Sequence, residues 1–224
     1  MIPYTSWTTN PTILNQLQIN GWRILTGPHI LKRHAWRDPI WPDGSPVKYC
    51  IDNGAWTAHQ SGEPFDAVSF RRTVAQLGKG ADFIVIPDIV AGGLASLRFS
   101  EGWIDELKEV GSPLLLAVQD GMTPAMVQPY MEAGIGIFVG GSTDWKLETI
   151  PAWSALARRH GRWCHVGRVN SVRRIQLCNN AGVDSFDGTG PIRWPQCIRR
   201  FTAESNQQTL RGQNECFDLF FRRS

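Results

Sequence analysis

The sequence predicts an α/β fold, a single compact (β/α)8 TIM-like barrel, on three observations. Eight short apolar runs alternate with helix-period segments along the chain, the pattern of parallel strands joined by crossover helices. The 224 residues, 42% apolar and 10% aromatic, suffice for one sizeable core and argue for one domain. Polar residues and glycines collect at the C-terminal end of almost every run, the end at which parallel barrels gather their loops. A doubly wound sheet with fewer strands is the structural alternative.

The predicted strands are Pro3–Trp7, Trp22–Leu25, Lys48–Ile51, Asp82–Pro87, Pro113–Val118, Gly136–Val139, Arg162–Val166 and Val183–Phe186. Helical periodicity follows at Pro11–Ile19, Phe65–Leu77, Leu94–Val110, Pro124–Ala133, Trp145–His160, Val172–Asn180 and Trp194–Glu204. Thr123 before Pro124 is a helix-start signal, and Gly161 is a stop. Gly27–Val47 carries no clear helix and is rich in Pro, Trp and basic residues, as a functional or disordered loop would be. The barrel is assigned to residues 1–204, with 205–224 as a C-terminal tail that docks late or frays.

No stretch of about 18 apolar residues exists, so no membrane span is expected. The N-terminus lacks the basic and apolar regions of a secretory signal. Five cysteines with no C-x-x-C spacing argue against a disulfide framework and a Cys-rich zinc site. A reducing cytoplasm is therefore the expected compartment. The net charge of +3 is unevenly placed: from Arg158 onward there are twelve Arg, no Lys and five acids. Guanidinium groups fork onto phosphates and stack on rings, which suits a nucleic-acid partner; a solvated surface with an Arg bias is the plainer alternative.

Chemistry-bearing residues sit at the strand ends: Asp52-Asn53-Gly54-Ala55-Trp56, Pro87-Asp88, Gln119-Asp120-Gly121, Gly140-Gly141-Ser142, His165-Val166-Gly167-Arg168 and Asp184-Ser185-Phe186-Asp187. In a barrel these ends converge on one mouth. Grouped carboxylates raise one another's pKa, so such a cluster is costly without a ligand. Each residue also has a plainer role. Asp52-Asn53-Gly54 reads as an Asx-Gly turn, Asp88 as an N-cap, His165 as a hydrogen-bonded core histidine and Asp184 as a strand-edge residue bonded to backbone. Only their joint placement points to a site.

In this order the motifs resemble the tRNA-guanine transglycosylase superfamily, whose catalytic domain is a (β/α)8 barrel, over roughly residues 48–195. Asp52-Asn53-Gly54-Ala55-Trp56 is similar to the family's general-base motif, Asp-Ser-Gly-Gly-aromatic. Asp88 resembles its base-reading Asp, and Gln119-Asp120-Gly121 its Gln-Gly segment with one residue more. Val139-Gly140-Gly141 matches its Val-Gly-Gly. Gly182-Val183-Asp184-Ser185-Phe186-Asp187 matches the nucleophile motif, and Pro191-Ile192-Arg193 the Pro-x-Arg that follows it. The family's tRNA enzymes carry a zinc site of three Cys and a His after the barrel. Cys197 and Cys216 stand alone here and no His follows His165, so no metal is expected. A short, zinc-less chain looks like the phage and bacterial DNA 7-deazaguanine transglycosylases, acting in a bacterial or phage-infected cytoplasm.

The resemblance implies a pentosyltransferase without cofactor, in which Asp187 is the nucleophile at C1′ and Asp52 the general base. The expected partners are DNA, presenting a flipped or single-stranded guanine nucleotide, and a free 7-deazaguanine such as 7-cyano-7-deazaguanine. Asp88 would accept from the base's donor edge, Gln119 and the Gly141 N–H would donate to its carbonyl beside Gly140, and Trp56 would stack on it. Val166 and His165 are expected to wall position 7. Arg168, Arg193 and Lys48 are expected on phosphates. The loop carrying Arg33 and Arg37 either grips the strand or covers the barrel with Trp36 and Trp41. The same chemistry on tRNA or a free nucleotide, a catalytically silent binder, and a homodimer or accessory protein stay open.

Overall fold

The computed structural model describes residues 1–34 and 40–207. Its strands are β1 (Ile2–Ser6), β2 (Arg23–Thr26), β3 (Tyr49–Ile51), β4 (Ile84–Val85), β5 (Leu114–Val118), β6 (Gly136–Val139), β7 (Cys164–Val166) and β8 (Ser185–Asp187). They pair in chain order, all parallel, and β8 pairs back onto β1 to close an eight-stranded barrel. Across that closing seam Tyr4 lies opposite Asp187. Helices surround it: α1 (Pro11–Ile19), α2 (Pro28–His34), α3 (Ala55–Ser61), α4 (Ala67–Leu77), α5 (Leu94–Lys108), α6 (Pro124–Glu132), α7 (Thr143–Arg159), α8 (Val172–Ala181), α9 (Gly190–Arg193) and α10 (198–207).

Strand residues alternate between two apolar layers, as a period of two demands. Tyr4, Cys50, Phe83, Val85, Leu115 and Ala117 form the inner cluster, with Leu25, Phe138 and Trp163 packed on it. Their neighbours Ile24, Ile51, Ile84, Leu116, Ile137, Val166 and Phe186 belong to the larger layer between strands and helices. Burial on both faces explains runs such as Leu114–Val118, which is buried throughout. The N-terminal end of the barrel is closed by polar groups: Arg23 pairs with Asp82 at 3.0 Å, and the Tyr4 hydroxyl donates to Asp82 at 2.9 Å.

Local signals account for several helix ends. The Asn10 side chain accepts from the N–H groups of Thr12 and Ile13, with Pro11 at the first helical position. Ser171 caps α8, and Gly182 ends it in the left-handed conformation.

Four sequence expectations change. Gly27–Val47 does contain a helix, α2, and a further helix, α3, follows β3 directly. Both are seven residues long, too short for periodicity to stand out. The helix expected over Trp194–Glu204 starts late: Trp194 is not helical, Pro195–Cys197 form a 3-10 turn and α10 begins at 198, while the short α9 lies before it. The boundary at 204 falls inside α10, where Ser205 is buried and its carbonyl accepts from the Met1 amino group. Trp41 packs into the core beside Trp7, as a covering residue. No helix among the described residues is long and apolar enough to cross a membrane.

Candidate active site at the barrel mouth

Inward parity continues past the strand ends. Asp52 lies two residues beyond Cys50, Gln119 two beyond Ala117, Gly140 two beyond Phe138, and Asp187 two beyond Ser185. The rows that fill the barrel therefore deliver these groups to its C-terminal mouth. Glycines at 140 and 167 leave space where their rows would otherwise carry side chains. A Cβ at Gly167 would stand 2.8 Å from the Phe138 ring and 3.3 Å from Asp187 Oδ2.

Asp187 ends β8 and is 8% exposed. His165 Nε2 lies 3.1 Å from its Oδ2, and the Arg168 backbone N–H reaches both carboxylate oxygens at 3.3 Å. Asp52 receives the Gly54 N–H at 3.2 Å. Its carboxyl is pushed up to about 7, first by burial and then by the negative charges of Asp187 and Asp88. Asp88 is raised by burial, against the opposing pull of an Asn53 hydrogen bond and the Arg168 charge. Three carboxyl groups thus share one mouth with different environments, the arrangement that separates acid from base roles.

Asn53 and Gln119 hold Asp88 between them. Asn53 Nδ2 donates to Asp88 Oδ1 at 2.8 Å and to the Ile86 carbonyl at 2.9 Å, while its own carbonyl accepts the Ala55 N–H. Gln119 Nε2 faces Ser96 Oγ, the Ile89 carbonyl and Asp88 Oδ2, and its Oε1 accepts the Gly92 N–H. With its amide hydrogens engaged there and 2% exposure, Gln119 supports the Asp88 loop and has no donor left for a base.

Arg168 crosses the mouth. Its guanidinium lies 4.2 Å over the Trp56 ring and donates to the Gly141 carbonyl, so a cation covers one face of the indole, itself 40% exposed. The β6–α7 loop is fixed by Asp120, which accepts from Ser142 N–H at 2.7 Å and from its hydroxyl at 2.5 Å. Burial raises the Asp120 carboxyl, but the Ser142 donors outweigh it and leave it below the usual range. Gly141 has φ +71°, and its N–H has no acceptor among the described residues.

Several expected roles move. His165 is fully buried inside the barrel beneath Asp187, and Val166 belongs to the outer layer. Neighbours on a strand point to opposite faces, so the two cannot form one wall. Lys48 is exposed immediately before β3, at the N-terminal end of the barrel, away from the mouth. Arg193 is exposed on α9, on the mouth side, next to Trp194. Arg37 and Trp36 lie outside the described residues, and the Arg33 side chain is likewise not described.

Sequence reading missed Asn53, Ser96 and Ser185 as supports, and Lys146 and Trp163 altogether. A small polar residue inside a short barrel strand was the available signal for Ser185. Lys146, one of five lysines in an Arg-rich chain, offered almost none. Beside the mouth, a cavity of about 700 Å³ lies between α2, α3 and the segment entering α4, lined by His29, Asn53, Thr57, Phe65 and Asp66. Among the described residues no three His, Cys, Asp or Glu side chains converge as a metal set would. The chain matches no protein-family model and no curated protein sequence.

Proposed function

We infer that the protein is a base-exchanging transglycosylase that replaces guanine in DNA with a 7-deazaguanine. The observation that carries this reading is the pairing of Asp187, met by the His165 ring and the Arg168 N–H, with Asp52, whose carboxyl is pushed up to about 7 in the same mouth. In the first half-reaction an Asp187 oxygen bonds to C1′ as the bond from C1′ to the guanine nitrogen breaks. That electron pair leaves with guanine, which takes a proton from the Asp52 carboxyl. In the second half, Asp52 removes the ring-nitrogen proton of the incoming 7-deazaguanine. The freed nitrogen attacks C1′ and releases Asp187. A carboxyl near 7 serves both halves because neither its acid nor its base form is scarce.

Asp88, oriented by Asn53, faces the donor edge of the base, and the Gly141 N–H its carbonyl. The base stacks on Trp56, by its uncovered face or after Arg168 swings to a phosphate. DNA is preferred to tRNA on the motif resemblance alone.

The test is transfer of labelled guanine, or of 7-cyano-7-deazaguanine, into double-stranded DNA, single-stranded DNA and bulk tRNA in parallel. Label in DNA is the expected result. Label in tRNA alone overturns the substrate and keeps the chemistry; label in none overturns the reading.

A further inference from the structure

We propose that the Asp187 carboxylate is aimed by two buried relays that enter from outside the mouth, one through Trp163, Ser185 and His165 and one through Lys146 and the Gly167–Arg168 peptide. His165 and Lys146 are positioning residues for the nucleophile. The proposal rests on the reading of Asp187 as that nucleophile.

The first relay is fixed at its outer end, and the nucleophile reading of Asp187 sets the rest. Trp163 Nε1 donates to Ser185 Oγ at 2.7 Å, and an indole N–H can only donate. Ser185 Oγ also lies 2.7 Å from His165 Nδ1, and His165 Nε2 lies 3.1 Å from Asp187 Oδ2. An ionised carboxylate can only accept, so Nε2 carries a hydrogen. A ring with a single N–H then has Nδ1 bare, and the Ser185 hydroxyl donates to it. Every group in the row is satisfied in one sense, from Trp163 to Asp187. The imidazole cannot turn away: it stacks on Phe138 at 5.0 Å and 18°, and Phe83 and Tyr4 stand 5.1 and 5.7 Å from it.

The second relay works through one peptide unit. Lys146, 2% exposed on α7, donates from Nζ to the Gly167 carbonyl at 2.6 Å. The N–H of that same peptide, on Arg168, points at both Asp187 oxygens. An ammonium on the carbonyl end strengthens the positive end of the peptide dipole that meets the carboxylate. Arg168 adopts φ +61°, a left-handed conformation rare for a side-chain-bearing residue, and this turns the peptide toward Asp187. The groups acting on Lys146 come from three directions: Arg168 beyond β7, Asp187 on β8, and Arg174 and Cys178 on α8. Burial, then the Arg168 charge, push its ammonium down to about 8, against the pull of Asp187.

The test combines 15N spectroscopy of the histidine rings with exchange kinetics on the full chain. The expected His165 spectrum is the Nε2–H tautomer, shifted by both Ser185→Ala and Asp187→Asn. An Nδ1–H ring, or one that neither substitution moves, overturns the first relay whether or not the protein exchanges bases. In kinetics, His165→Phe and the milder Ser185→Ala are expected to lower kcat by roughly 100-fold and 10-fold, with KM for the base unchanged. Wild-type kcat in Ser185→Ala overturns that relay. Lys146→Met is expected to remove the further fall in kcat near pH 8 that adds to the one set by Asp52, and Lys146→Arg to keep kcat at pH 9 above the wild-type value. A pH profile identical to wild type in Lys146→Met overturns the second relay. Absence of exchange in the wild type, with the expected His165 spectrum, overturns the transglycosylase reading and leaves the first relay in place.

Discussion

In the proposed reaction Asp187 and Asp52 would divide the chemistry because their surroundings differ. Asp187 meets donors on both carboxylate oxygens, whereas Asp52 meets the backbone N–H groups of Asn53 and Gly54 and two neighbouring negative charges. Asp187→Asn should lower base exchange by roughly 10⁴-fold or more while nucleic-acid affinity stays near wild type. A denaturant-stable nucleic-acid adduct should disappear with it, and an adduct that survives in this variant removes Asp187 as nucleophile. Exchange should peak near pH 7, falling below it as the Asp52 base is lost and above it as the Asp52 acid that protonates departing guanine is lost. The same shift makes a stability prediction. Its folded value lies above its unfolded one, so its contribution is fully present below the ordinary carboxylate value, near 3.8, and is lost as pH rises through about 7. Asp52→Asn should therefore melt higher than wild type at pH 8, with the gap narrowing toward pH 4. At this scale the sequence identified both carboxylates by type and strand position. It placed His165 and Val166 on one wall although strand alternation forbids it, and it gave Gln119 a ligand-facing role. That role depended on where Ser96 and the Ile89 carbonyl would stand.

Loops and caps divide into those that shape the mouth and those that only end helices. A Cβ at Gly141 would stand 2.7 Å from both Asp120 Oδ2 and the Trp145 ring, at φ +71°. Gly141→Ala should thus cost about 1–3 kcal/mol, lower the melting temperature, and weaken base binding by displacing the loop. Asn10→Ala removes the cap of α1 and should cost about 1 kcal/mol. It should leave exchange unchanged, because α1 precedes β2 and carries no group of the site. Equal losses of activity in the two variants would contradict this division. The long amphipathic helices were legible because their periodicity repeats over enough residues, and the strands because burial on both faces leaves short unbroken apolar runs. The seven-residue helices α2 and α3 were not, since neither spans two full turns. Pro195 was visible as a residue, but the delay it imposes on the start of α10 was not read from it.

Over the whole molecule, the Arg-rich second half bears on how a polyanion would approach. Nucleic-acid affinity should fall steeply with salt, each phosphate contact contributing a slope of about −0.9 in log–log terms. Arg193→Ala, an exposed cation beside the mouth, should flatten that slope by about one unit; an unchanged slope would place Arg193 away from the strand. Arg23, Asp82 and Tyr4 close the opposite end of the barrel, which leaves the mouth as its polar open face. The sequence by itself determined alternating strands and helices and which strand ends carry polar groups, because these follow from local period and from the chirality of parallel crossovers; closure into a barrel in place of a doubly wound sheet was decided by the β8–β1 pairing. The sequence also determined that Asp52, Asp88 and Asp187 belong to one mouth. Only the tertiary structure decided what holds them there. The contacts of Asp187 with His165 and Arg168, of Lys146 with Gly167, and of Asn53 with Asp88 join residues about 20 to 35 positions apart on separate strands and helices. No periodicity within one segment encodes which donor meets which acceptor once eight such segments close on one another.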